Sequence, residues 1–196
     1  MRRVLPGLTP TSFAPPLRPL AAVKLDDSDF DLFDLPPRQA LDRAVLDTRW
    51  RQLQAEVHPD RFASEGAAAQ RVAMQWAVRV NEAYQRLKDP VRRAAYLCAL
   101  RGVPVDAERN TAMPAAFLVQ QMDWREALDD ADSLGGVERL GQQVADTERE
   151  LLARLAACLD ADNDAASAAT QVRALMFVQR FQQDIERRLD ALDTTR

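Results

Sequence analysis

One histidine, two cysteines and six glycines are spread over 196 residues, and each scarcity removes a class of function. His58 with Cys98 and Cys158 supplies too few soft ligands for a closed zinc site or a four-thiolate cluster, so neither a metal nor a cofactor is expected. The two cysteines fall inside Ala- and Leu-rich stretches, where buried free thiols are the expected state and a disulfide the lesser alternative. No run reaches the roughly eighteen apolar residues of a membrane span. A net charge of −4 leaves no basic face for a nucleic-acid backbone. Internal repeats and strand patterns longer than a few residues are missing too. Nucleic acid and membrane are therefore not expected as partners.

The chain is rich in helix formers, and its hydrophobic content of 47% suffices for a core. Arg2 and Arg3 give a basic start, but Pro6, Pro10, Pro15, Pro16 and Pro19 interrupt every apolar run after it. A secretory signal needs an unbroken apolar segment, so residues 1–28 read instead as a disordered Pro-rich extension, and a cytoplasmic location is expected.

The remainder is predicted all-α. Leu46, Trp50, Leu53 and Val57 fall on one stripe of a helix that Asp42 can cap. Ala73, Ala77, Val80, Tyr84 and Leu87 make the stripe of a second helix, over about 66–88. Two such helices joined by a short loop are expected to pack as an antiparallel hairpin. A shorter helix, over about 91–101, ends at Gly102. After a boundary near 103/104, three helices are expected, over about 114–130, 137–159 and 166–192, with a break at 132–136. Their short connections suit a three-helix antiparallel bundle.

Two places have more chemistry than packing requires. His58-Pro59-Asp60 lies between the hairpin helices. A lone histidine usually has no special task. Here, however, Pro59 cannot continue a helix, and Asp60 and Ser64 can cap the next one, so the tripeptide falls at the hairpin tip, where binding residues tend to sit. In the first bundle helix Phe117, Trp124 and Leu128 share one side, while Leu118 and Met122 lie about 100° or more around it. Asp123, Glu126 and Asp130 flank that second side, and Phe177 falls off the Leu175, Val178, Ile185, Leu189 stripe of the last helix. A partner patch and a wide buried face both fit this pattern.

The segments Asp29-Phe30 to Leu35-Pro36, Val57-His58-Pro59-Asp60-Arg61-Phe62-Ala63-Ser64, Val80-Asn81-Glu82-Ala83-Tyr84 to Asp89-Pro90 and Arg92-Arg93-Ala94-Ala95-Tyr96-Leu97 together resemble a J-domain, the module that stimulates ATP hydrolysis by DnaK-type chaperones. With Ala116-Phe117-Leu118 and its acidic continuation, the chain over about 29–192 is similar to the HscB family, J-proteins of bacterial iron–sulfur cluster assembly.

The resemblance implies a J-domain at 29–103 and a scaffold-binding domain at 104–196. It implies that His58, Pro59 and Asp60, with Arg61 and Arg51, meet an HscA/DnaK-type chaperone. Leu118, Met122 and Phe177, rimmed by Asp123, Glu126 and Asp130, would hold an IscU-type cluster scaffold. The implied protein is a co-chaperone and not an enzyme. Val119 and Met122 stand where other apolar residues are common in the family, aspartates replace some glutamates, and the Cys-x-x-Cys pairs of eukaryotic relatives are missing. A general J-domain co-chaperone for other clients is the alternative. An enzyme with His58 and Asp60 as an acid–base pair is a third reading, for which the sequence supplies no nucleophile or metal set.

Overall fold

Asp42, Asp89 and Asp164 each stand just ahead of an apolar-periodic run. In the computed structural model of the chain each carboxylate accepts backbone N–H groups from the first turn of the helix after it. The structure describes residues 24–106 and 113–194. These described residues are all-α: α1 (Asp29–Leu32), α2 (Arg43–Val57), a 3-10 turn (Pro59–Phe62), α3 (Ala67–Lys88), α4 (Pro90–Leu100), α5 (Ala115–Asp129), α6 (Leu134–Asp160) and α7 (Ala165–Thr194). Most of the extension expected at 1–28 lies outside the described residues.

Two differences from the sequence expectation have local causes. The stretch expected to break at 132–136 already contains the first turn of α6, with Gly135 and Gly136 inside it. Gly136 is suited to that place because an added Cβ would lie 3.3 Å from Ser133 Oγ. The segment after Val57 is a 3-10 turn rather than an open loop, capped by the His58 ring, which accepts from Asp60 N–H. Gly102 does end α4 as expected: it takes φ +77°, and Val103 N–H returns to Cys98 O at 2.9 Å.

The chain divides into two compact units, Met1–Leu35 with Asp42–Asn81, and Pro36–Leu41 with Glu82–Arg196. In the first, Phe30, Leu32 and Phe33 are buried together with Leu46, Leu53 and Val57 of α2 and Ala73 and Val80 of α3. Burial of such side chains contributes about 1.5–3 kcal/mol each for the larger ones. Polar ties fix the arrangement. Arg79 pairs with fully buried Asp29 at 2.7 Å and also donates to Leu25 O and Asp27 O, so the chain is held from before α1. Arg49 is buried against Asp34 at 3.1 Å. Asn81 Oδ1 accepts from Trp50 Nε1 and Gln54 Nε2, tying α3 to α2.

In the second unit α6 and α7 run antiparallel. Gly141 faces Ile185, Glu148 accepts from Gln182 at 2.7 Å, and residues 161–164 make the turn. Helix α4 packs on this pair, and Arg101 donates to Leu159 O at 2.8 Å. Helix α5 lies along α7 with the same polarity, with Phe117 on Phe177 and Trp124 on Phe181. It is therefore antiparallel to α6, the alternation expected of a three-helix bundle.

Both cysteines are free, as expected, but only Cys98 is buried while Cys158 is half-buried; desolvation pushes both thiols up, which favours the protonated form near neutral pH. The segment Pro36–Leu41 is stitched to the second unit by Asp160. Its carboxylate accepts from Gln39 N–H at 2.8 Å and Ala40 N–H at 2.7 Å, while Arg93 Nε donates to Gln39 O. Asp160→Ala orphans two backbone donors. It is expected to lower unfolding free energy by about 1–2 kcal/mol, read as a lower urea midpoint at unchanged slope. Asp160→Asn, with one acceptor oxygen left, should lose less.

Candidate functional site

At the end of α2, His58 leaves the helix with φ −61° and ψ 124°. Pro59, which has no N–H to offer, opens the 3-10 turn. Arg61 N–H bonds His58 O at 3.0 Å, and Asp60 N–H bonds the imidazole Nδ1 at 3.3 Å. With Nδ1 accepting, a neutral ring carries its proton on Nε2, which is left for another partner. The side chains of His58 and Asp60 are 57% and 90% exposed. An acid–base enzyme needs walls around its reacting groups, and these stand in the open.

Around the turn, Arg61 and Arg51 are both exposed. Arg51 Nε bonds Asp47 O at 3.1 Å, and Arg43 pairs with Asp47 at 2.6 Å. Arg49 is turned inward to Asp34 and adds nothing to the exposed charge. The basic character near the turn therefore rests on Arg51 and Arg61, with Arg43 half neutralised by its neighbour.

In the second unit α5 has one anchored side and one bare side. Trp124 is 6% exposed, whereas Leu118, Val119 and Met122 are 45%, 57% and 69% exposed. Four rings close a cluster beneath the helix: Phe117 meets Trp124 and Phe177 edge-on, and Phe181 stacks on Trp124 and Phe177. Phe177 is half-buried in that cluster, with the Arg125 guanidinium 5.7 Å above its ring. At about 100° per residue, Leu118, Met122 and Arg125 lie on the Phe177 flank of α5.

Val119 and Asp123 lie on the other flank. There a groove of about 620 Å³ runs over Phe117, Leu151 and Ala174, with Arg154 on its far side. Asp123, Glu126 and Asp130 are exposed. The face thus gathers Leu118 and Met122, places Phe177 beside them as a recessed ring, and sets Asp123 at the groove.

Sequence reasoning did not single out the exposure of Val119, although its spacing of three from Met122 could have revealed it. The Arg125–Phe177 contact crosses between helices and leaves no trace in local spacing. Among the described residues no group of three or more His, Cys, Asp or Glu is placed to hold a metal ion, and no helix is long and apolar enough to cross a membrane.

Comparison with known proteins gives concordant matches. The family model described as the HSCB C-terminal oligomerisation domain matches residues 113–186. A co-chaperone protein HscB homolog of Burkholderia mallei (strain SAVP1) is 52% identical over 174 residues, covering 87% of this chain and 99% of that protein. The solved chaperone HscB from Vibrio cholerae superposes with a TM-score of 0.74 at 35% identity, covering 85% of this chain and 99% of its own. The crystal structure of the human co-chaperone protein HscB gives 0.80 at 25% identity, covering 94% and 93%.

Proposed function

Because this chain belongs to the HscB family of co-chaperones, we propose that its two exposed places divide the work of such a protein between them. It is a J-type co-chaperone of iron–sulfur cluster assembly. The His58-Pro59-Asp60 turn, with Arg61 and Arg51, docks on an HscA/DnaK-type chaperone and promotes ATP hydrolysis. The α5 face holds an IscU-type cluster scaffold through Leu118, Met122 and Phe177, with Asp123, Glu126 and Asp130 as its charged rim. In functional terms residues 29–103 serve the chaperone and 104–196 the scaffold. The protein has no chemistry of its own in this reading and acts in the cytoplasm.

The observation that carries the proposal is the bare apolar strip on α5. A helix whose other side is pinned by four rings has no packing reason to leave Leu118, Val119 and Met122 in solvent, and an exposed apolar patch rimmed by acids suits a protein partner. Stimulation requires only that the docked turn favour one nucleotide state of the chaperone over another. Delivery requires that the scaffold be held meanwhile.

The test is scaffold capture together with chaperone ATPase. Leu118→Ser is expected to weaken scaffold binding by about tenfold, or about 1.4 kcal/mol. It should also remove the extra stimulation the scaffold brings and leave the stimulation by the co-chaperone alone intact. Wild type that stimulates the chaperone but ignores the scaffold would instead be a general J-domain co-chaperone.

A further inference from the structure

The turn contains a backbone defect and its repair. In an α-helix the C=O of residue 55 takes its hydrogen bond from the N–H of residue 59. Residue 59 is proline, so Ala55 O loses its donor at the end of α2. The structure supplies a substitute: Arg61 Nη1 reaches back and donates to Ala55 O at 3.1 Å. Its positive charge also suits the negative end of the helix. The same residue's backbone N–H bonds His58 O, so Arg61 reaches back across Pro59 to two carbonyls ahead of it.

Resting on the co-chaperone reading above, we propose that Arg61 is a positioning residue. Its guanidinium fills the acceptor that Pro59 leaves empty, and so holds His58 and Asp60 in the shape that the chaperone reads. The proline that aims the turn and the arginine that closes it then work as a pair. The bond from Asp60 N–H to the His58 ring lies inside the turn that Arg61 spans, and serves as the reporter of its shape.

The experiment uses the full chain, free and with its Hsp70-type chaperone, as wild type, Arg61→Ala and Arg61→Lys. In the free chain, NMR follows the Asp60 amide and the two ring nitrogens of His58. With the chaperone, ATPase is titrated with co-chaperone at two salt concentrations. Arg61→Ala is expected to speed exchange of the Asp60 amide by about tenfold, the loss of one modest hydrogen bond. It should shift the Nδ1 resonance and cut maximal stimulation even at saturating co-chaperone, a loss that comes in addition to any rise in the half-saturating concentration from its place on the docking surface. Arg61→Lys, which keeps one donor within reach of Ala55 O, should restore most of both. An Asp60 amide unmoved by Arg61→Ala overturns the proposal whatever the ATPase does. A raised half-saturating concentration that shrinks with salt would then leave Arg61 as a docking contact alone, with no part in shaping the turn. Wild type that fails to stimulate the chaperone defeats the co-chaperone reading instead, and the amide measurement still decides the role of Arg61.

Discussion

Replacing His58 by Gln should abolish stimulation of the chaperone ATPase while leaving the fold intact. The imidazole has two jobs in the turn. Nδ1 accepts Asp60 N–H, and in a neutral ring Nε2 then carries the proton, on a side chain that is largely exposed. Gln can place a donor near the position of Nε2 but carries no acceptor where Nδ1 sits, so the turn loses its internal bond. Asn does the reverse, with Oδ1 near the place of Nδ1 and nothing at Nε2. Both are expected to lower stimulation by at least about tenfold, or about 1.4 kcal/mol of coupling. The side chain is 57% exposed, so neither change should cost more than about 1 kcal/mol of stability. The check is paired: single-turnover ATPase of the chaperone, and a thermal melt of each variant. Stimulation that survives in both variants would remove the turn from the mechanism.

Much of this was legible because it is local. The stripes of α2 and α3, the cap at Asp42 and the stop at Gly102 depend on residues within a turn or two of each other, and all four match the structure. What escaped depends on partners far along the chain. The burial of Arg49 cannot be read from local spacing, because Asp34, which draws it inward, lies fifteen residues away across a turn. Capping of the 3-10 turn by an imidazole is not legible in the sequence because the usual cap residues are Asp, Asn, Ser and Thr. On α5, spacing separated Leu118 and Met122 from the Phe117–Trp124 side. It could not say which side faced solvent; the four-ring cluster decides that.

That cluster sets the second large expectation. Trp124 stacks on Phe181 at 5.7 Å and meets Phe117 at 6.5 Å, and it is the one residue of α5 that is fully buried. Helix α5 makes far fewer contacts with α6 and α7 than they make with each other, so the rings are its main hold. Trp124→Ala is expected to cost about 3–5 kcal/mol, a large share of the stability of a chain this size. The denaturant midpoint should fall steeply. Scaffold capture should be lost even where the chain remains folded, because Leu118 and Met122 ride on the same helix. Stimulation of the chaperone in the scaffold's absence should persist under those conditions. Phe181→Leu, which keeps most of the volume, should lie between wild type and Trp124→Ala on both measures. If Trp124→Ala holds the scaffold as well as wild type does, the face is not presented by α5.

The clasp between Asp160 and residues 39–40 also fixes an order of events at the ribosome. The bonds Arg79–Asp29 and Asn81–Trp50 need nothing beyond residue 81, so the first unit has its own ties early in synthesis. Gln39 and Ala40 emerge sooner still, yet their carboxylate lies 121 and 120 residues downstream. Closing so long a loop is slow and its entropic cost falls late. The N–H groups of Gln39 and Ala40 are therefore expected to stay solvated until Asp160, at the end of α6, has been made, so that a late bond reaches back to one of the first segments synthesised.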